Sequence, residues 1–197
     1  TTVMTSPGSA NACGGTMAIL KTAGRMADRM QIGTGVKFAL GENPKSVYND
    51  RDETPITRMA TAAMIREGLA KAQRYQQELD FAESDPDEHM PDYDAKSEAL
   101  LPLLERDVKA HFHCHRADDI CTAIRIAKEF NLDYVIIHGT EGHLIADILA
   151  EENAPVIAGP ILCDRCKPEM QHLTISGPSI MQKAGVKLAL CTDHPVI

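Results

Sequence analysis

His111, His113 and His115 alternate with apolar residues in AHFHCH, and His138 closes the next apolar run, YVIIH. Period-two spacing puts the first three imidazoles on one face of a strand. A third apolar run, VKLALC, delivers Asp193 just past its end. Imidazole and carboxylate suit zinc and similar divalent ions, and three protein ligands with a water beside them form a hydrolytic arrangement. One histidine at a strand end is most simply a core residue. Two of them, His113 and His138, with an acid on a third strand end make a site the better reading. Within HFHCH the choice stays open, because His111 and His115 share the face of His113.

Lys37 sits inside the apolar run GVKFAL, on the face opposite Val36, Phe38 and Leu40. A buried ammonium must lose its charge or find a partner, unless the chain snorkels to the strand's end. Glu42, just beyond, is a second acid candidate or an ordinary loop carboxylate. Cys163 and Cys166 have CxxC spacing, but no second pair follows to complete a zinc knuckle. The six cysteines are scattered through apolar segments and read as reduced, cytosolic thiols. Gly14, Gly15 and Gly139 are isolated and read as backbone necessities. The acidic run at 83–94 lacks the order of a calcium loop and reads as a solvated face.

The elements that must position these residues are legible from periodicity and punctuation. Strands are expected at 1–5, 17–21, 35–40, 134–137, 154–159 and 186–191, besides the histidine strand. The longest helix is expected over 57–79, with Met59, Ala63, Ile65, Leu69, Ala72 and Tyr75 at helical spacing. Shorter helices are expected at 25–30, 98–104, 118–130 (stopped by Asn131), 142–152 and 178–184. Residues 41–44 read as a closing turn, 81–96 (with Pro86 and Pro91) as a mobile acidic excursion, and 163–171 as a loop. Alternating strands and helices make one α/β domain over 1–197, either a doubly wound sheet or a barrel. In both, chemistry sits at the carboxyl ends of the strands. With 197 residues, 44% apolar, the chain can bury a sizeable core. A net charge of −8 without a basic cluster argues against a nucleic-acid surface. No apolar run reaches the ~18 residues of a membrane span, and the reduced cysteines lead to the expectation of a cytoplasmic protein.

The stretches GVKFALGENPKSVY, TPITRMATAAMIREGLAKAQRY, HCHRADDICTAIRIAKEF, HGTEGHLIADILAEE and KLALCTDHPVI resemble the metal-dependent amidohydrolase superfamily, in its branch related to imidazolonepropionase. The resemblance implies a (β/α)₈ TIM-like barrel hydrolysing amide or cyclic amide C–N bonds of a small molecule, with one or two divalent ions, zinc first. It implies His113 and His138 as metal ligands from the fifth and sixth strands. Asp193 resembles the eighth-strand aspartate that binds metal and takes a proton from the attacking water. Lys37 falls where some members place a carboxylated, metal-bridging lysine, and Glu42 is the rival bridge. Glu42, His115, His143 and His194 stand as candidates for substrate contact.

The superfamily's first-strand His-x-His pair is absent. HFHCH is not that pair, because the following RADDI and the distance to HGTEGH place it at the fifth strand. A full barrel takes ~250 residues, so the expectation is an incomplete barrel lacking its first strand and last helix. Such a piece would be cut from a longer enzyme and inactive alone, or would pair with another copy to cover its open edge. The alternative from another class is a barrel remnant serving as a binding or assembly module.

Overall fold

The computed structural model describes residues 1–85, 87–194 and 196; Pro86, in the expected acidic excursion, and Pro195 and Ile197, at the end of the stretch KLALCTDHPVI, lie outside the described residues. Seven strands form one sheet in the order β1 (Thr2–Thr5), β2 (Cys13–Lys21), β3 (Gln31–Ala39), β4 (Lys109–Cys114), β5 (Tyr134–His138), β6 (Val156–Ala158) and β7 (Leu188–Leu190). From β3 to β7 every pair is parallel. Among the described residues the order never reverses, so no switch point of the doubly wound kind is formed there. The result is a mixed α/β fold with a curled, half-barrel sheet.

The first three strands depart from the expected helix-joined pattern. β1 pairs with β2, and β2 with β3, antiparallel. A parallel crossover needs about a dozen residues, and the link at 6–12 is too short for one. The chain therefore turns back directly. Between β2 and β3 lies only the single turn α1 (Ala27–Met30). The second strand begins earlier than apolarity alone indicates, because Gly14 and Gly15 are part of it. A Cβ on Gly14 would lie 3.1 Å from Cγ of Lys37, so the small residue lets β2 pass close to that lysine.

Helices α2 (Glu42–Asn49), α3 (Arg58–Ser84), α4 (Ala95–Glu98) and α5 (Leu101–Leu104) follow β3; α6 (Ala117–Glu129), α7 (Ala146–Glu151) and α8 (Gly177–Lys183) join the later strands. Residues 42–49 were expected partly as a turn but are helical; Pro44 falls in the first turn, where its missing N–H costs nothing. The Thr57 hydroxyl caps α3 by accepting from the Ala60 N–H at 3.1 Å. That helix runs on to Ser84, shortening the expected acidic excursion. Its buried stripe is Thr61, Ile65, Leu69, Ala72 and Tyr75. Met59 and Ala63, expected on that stripe, point to solvent, because their helical phase lies well off the line through Ile65 and Leu69. Asn131 ends α6 in the left-handed region at φ 53°. Instead of one helix over 142–152, a 3₁₀ turn at Gly142–Ile145 precedes α7.

Strand alternation sorts the sheet into two faces. Val36, Phe38, Ala110, Phe112, Cys114 and Ile136 join Ile65, Leu69, Ile120, Leu149 and Met181 in one apolar core between sheet and helices. The opposite face carries Lys37, His111 and His113, all buried, with Lys37 opposite His111 and Ala39 opposite His113. Among the described residues no helix is long and apolar enough to cross a membrane. Phe38 and Phe112 are register partners, their rings stacked 5.2 Å apart at 23°. Phe112→Ala is expected to destabilise the fold by about 4 kcal/mol, read as a shift in the urea unfolding midpoint at unchanged slope.

Candidate active site

Strand β4 supplies His113 from its inner face, and His115 follows one residue past the strand's end. His138 arrives differently. Alternation would put it with Ile136 on the helix side, and its register partner Cys114 lies in that core. Instead His138 takes φ 72° and Gly139 φ 53°, a left-handed bend that turns the imidazole to the other face. A non-glycine residue there is strained and marks a functional site more often than chance. Asp193, at the carboxyl end of β7, is left-handed too, at φ 53°.

The three imidazoles meet. His113 and His138 lie edge to face at 4.6 Å, His115 and His138 stack at 4.7 Å, and His113 and His115 lie edge to face at 5.0 Å. One ring nitrogen from each lies within 4.8 Å of the other two. His138 donates through Nδ1 to the Gly159 carbonyl at 2.5 Å, which leaves its Nε2 as a lone-pair donor. Nδ1 of His115 lies 2.7 Å from the Thr140 hydroxyl. Nε2 of His113 lies 3.2 Å from Nδ2 of Asn43. Because Oδ1 of Asn43 accepts from Lys167 at 2.6 Å, the amide nitrogen faces the ring and donates to it.

Burial is the main force on these groups. It holds His113 well below the usual imidazole range and brings His115 down to about 2, with the charges of His138 and Lys167 acting the same way. His138 is lowered by burial, with the Gly159 hydrogen bond and Asp193 pulling back up. All three rings are therefore neutral, the form that ligates metals. Nδ1 of His113 is buried with no hydrogen-bond partner. Buried polar atoms are almost always paired; with Nε2 accepting from Asn43 the proton of the neutral ring sits on Nδ1, an orphan donor, and it is the convergence of the three rings that gives them the geometry of a ligand set. The residues present fit a divalent ion.

The trio lines a cavity of about 1310 Å³ together with Asn43, Lys167 and Asp193. The charge of Asp193 acts on His138 and on Lys37. Lys37 is buried beside β1's exit loop, its Nζ 3.4 Å from the Ser6 hydroxyl and from the Pro7 carbonyl. Burial lowers its pKa and Asp193 raises it. His111 stays outside the trio, next to Lys37, and burial with the charges of Lys37 and Lys109 brings it to about 4. His115, expected at the substrate, is the trio's third member. Glu42 opens α2 with its carboxylate 3.8 Å from Arg58, His143 donates to the Thr140 carbonyl at 3.1 Å, and His194 is exposed. None of these three is among the cavity's described lining. Cys163 and Cys166 do line it, and all six cysteines are free thiols.

Asn43, Lys167 and Glu169 were not found by sequence reasoning. Glu169 is buried with Oε2 accepting from the Glu42 N–H at 2.9 Å. A Cβ on Gly41 would lie 2.6 Å from that oxygen, so glycine at φ 82° makes room for the carboxylate. Two charged residues in a loop carry no periodicity, and nothing local indicates that one is buried.

No protein-family model matches the chain. Amidohydrolase tasK of Hapsidospora irregularis is 27% identical over 218 residues, which cover 97% of this chain and 22% of that protein. The crystal structure of an amidohydrolase from Thermotoga maritima MSB8 superposes with a TM-score of 0.96 at 43% identity, over 100% of this chain and 52% of that one. Both relatives are amidohydrolases by name. The chain spans about half of the second and about a fifth of the first. Their names and the three-histidine cluster fit a hydrolase.

The neutral histidines set the acid behaviour. Unfolded, each takes a proton near pH ~6.5; folded, His111 holds off until about 4 and His115 until about 2. The unfolded state then binds more protons, so stability falls as pH drops through this window. Thermal melts of chelator-treated protein are expected to show Tm declining steadily from pH 6.5 to 4. A flat profile would mean the imidazoles are charged in the fold.

Proposed function

We propose that the protein is a metal-dependent hydrolase of amide or cyclic amide C–N bonds in a small molecule. The observation that carries this is the trio His113, His115 and His138, buried and neutral, in one cavity with Asp193. The resemblance to the imidazolonepropionase-related branch, and with it an eight-stranded barrel, supports the reading. So do the names of the two relatives.

Zinc or a similar divalent ion, when bound, supplies a lowered pKa for water and polarisation of the scissile carbonyl. His113, His115 and His138 would hold it, with Lys37 as a further ligand if carboxylated, since carboxylation replaces a costly buried ammonium by an anion. Asp193 accepts the proton of the attacking water and returns it to the leaving nitrogen. His138 is aimed by the Gly159 carbonyl and His115 by Thr140, so the ligand rings do not reorient during turnover.

Elemental mass spectrometry on the full-length natural protein is expected to find about one or two divalent ions per chain. His138→Ala should remove most of that metal. Asp193→Asn should retain at least one ion while lowering turnover of amide substrates by roughly 10²–10⁴-fold. Absence of metal even after added zinc would overturn the hydrolase reading and leave a binding module.

A further inference from the structure

Lys167 stands in the loop between β6 and α8, a third exposed, on the wall of the cavity that holds the trio. Its ammonium has three N–H donors. One goes to Asn43 at 2.6 Å. The nearest carboxylate oxygen within its own loop, Oε1 of Glu169, lies at 3.8 Å, too far for a hydrogen bond. That oxygen is buried and unpartnered, and it is also 3.8 Å from Nε2 of His115. Burial raises the pKa of Glu169, while the Glu42 N–H and the charge of Lys167 pull it back down.

The side chain is nonetheless held in place. Asn43, from the first turn of α2, grips it from one side and is itself bound to His113. Glu169, clasped beneath Gly41 and the Glu42 N–H, lies on another. A positioned cation with donors to spare beside the reacting centre is a recognition element for an anionic oxygen. Asp164 and Asp193 line the same cavity, and among the described residues the ion pair of Lys167 is with Glu169. Leu162, Leu173 and Ile175 line the same wall and suit an aliphatic substituent.

We propose that Lys167 is a specificity-determining residue that binds a carboxylate of the substrate, so that the amides cleaved are those carrying a carboxylate next to an aliphatic group. This rests on the hydrolase reading for the cavity's being a substrate site. Asn43 and Glu169 act through Lys167 as positioning residues.

The test uses two probes that cannot be hydrolysed, 4-methylpentanoate and 4-methylpentan-1-ol, titrated calorimetrically into the full-length natural protein, with metal content measured in parallel. The carboxylate is expected to bind at least about tenfold more tightly than the alcohol, the value of one charge-assisted hydrogen bond. Lys167→Gln should abolish the preference, and Lys167→Arg, which keeps the charge, should restore most of it, with metal content unchanged in both. A preference that survives Lys167→Gln would overturn the proposal, because the metal or another cation then reads the carboxylate. Absence of any preference, or of binding by either probe at millimolar concentration, would overturn it too. A wild type that binds no metal yet shows a Lys167-dependent preference would sink the hydrolase reading alone and leave this assignment standing.

Discussion

Strand alternation in a sheet with helices on one side decides what the other side must be. The outer residues Val36, Phe38, Phe112 and Ile136 are consumed by the helical core. Their alternates Lys37, His111 and His113 face inward and are just as buried. Titratable groups removed from water keep their charge only at great cost. Here burial drives lysine and histidines alike toward neutrality. A neutral imidazole is a ligand and a hydrogen-bond acceptor, where an imidazolium would be neither. The chemical character of the cavity follows from the sheet's pleat.

The pleat alone would not complete the trio. His138 belongs by alternation to the apolar side and reaches its neighbours through a left-handed bend shared with Gly139. Asp193 repeats the device at the end of β7. Strain of order 1–3 kcal/mol at each such residue is sustained by what surrounds it. For His138 that includes its bond to Gly159 and the packing of two rings against it. The loop after β6 adds a second layer. Glu169, Lys167 and Asn43 connect that loop to the start of α2 and to His113, and Arg58 ties Asp119 of α6 to the same buried carboxylate at 3.0 and 3.8 Å. Polar residues from four separate segments are thus linked beside the cavity.

What could be read from the sequence was whatever leaves a periodic or local trace. Alternation in AHFHCH announced an inward histidine face, and the apolar runs announced the parallel strands and their histidine-bearing ends. The 3.6-residue stripe through Ile65, Leu69 and Ala72 announced the long helix. Lys37 was legible as an anomaly because a charge interrupted an apolar run. These signals are physical: a side chain's face follows from its position in a repeating backbone, and nothing distant needs to be known.

What only the tertiary structure decided has no such trace. The antiparallel start of the sheet depends on a link too short to cross over, and the place of His115 in the trio depends on where β4 ends relative to β5. The burial of Glu169 under Gly41, and the chain from Lys167 through Asn43 to His113, join residues more than a hundred positions apart. Sequence determined which residues lie on a common face of each strand and helix, because backbone periodicity is local. Only packing determined which of those faces meet, because a contact between remote segments is made by the fold as a whole.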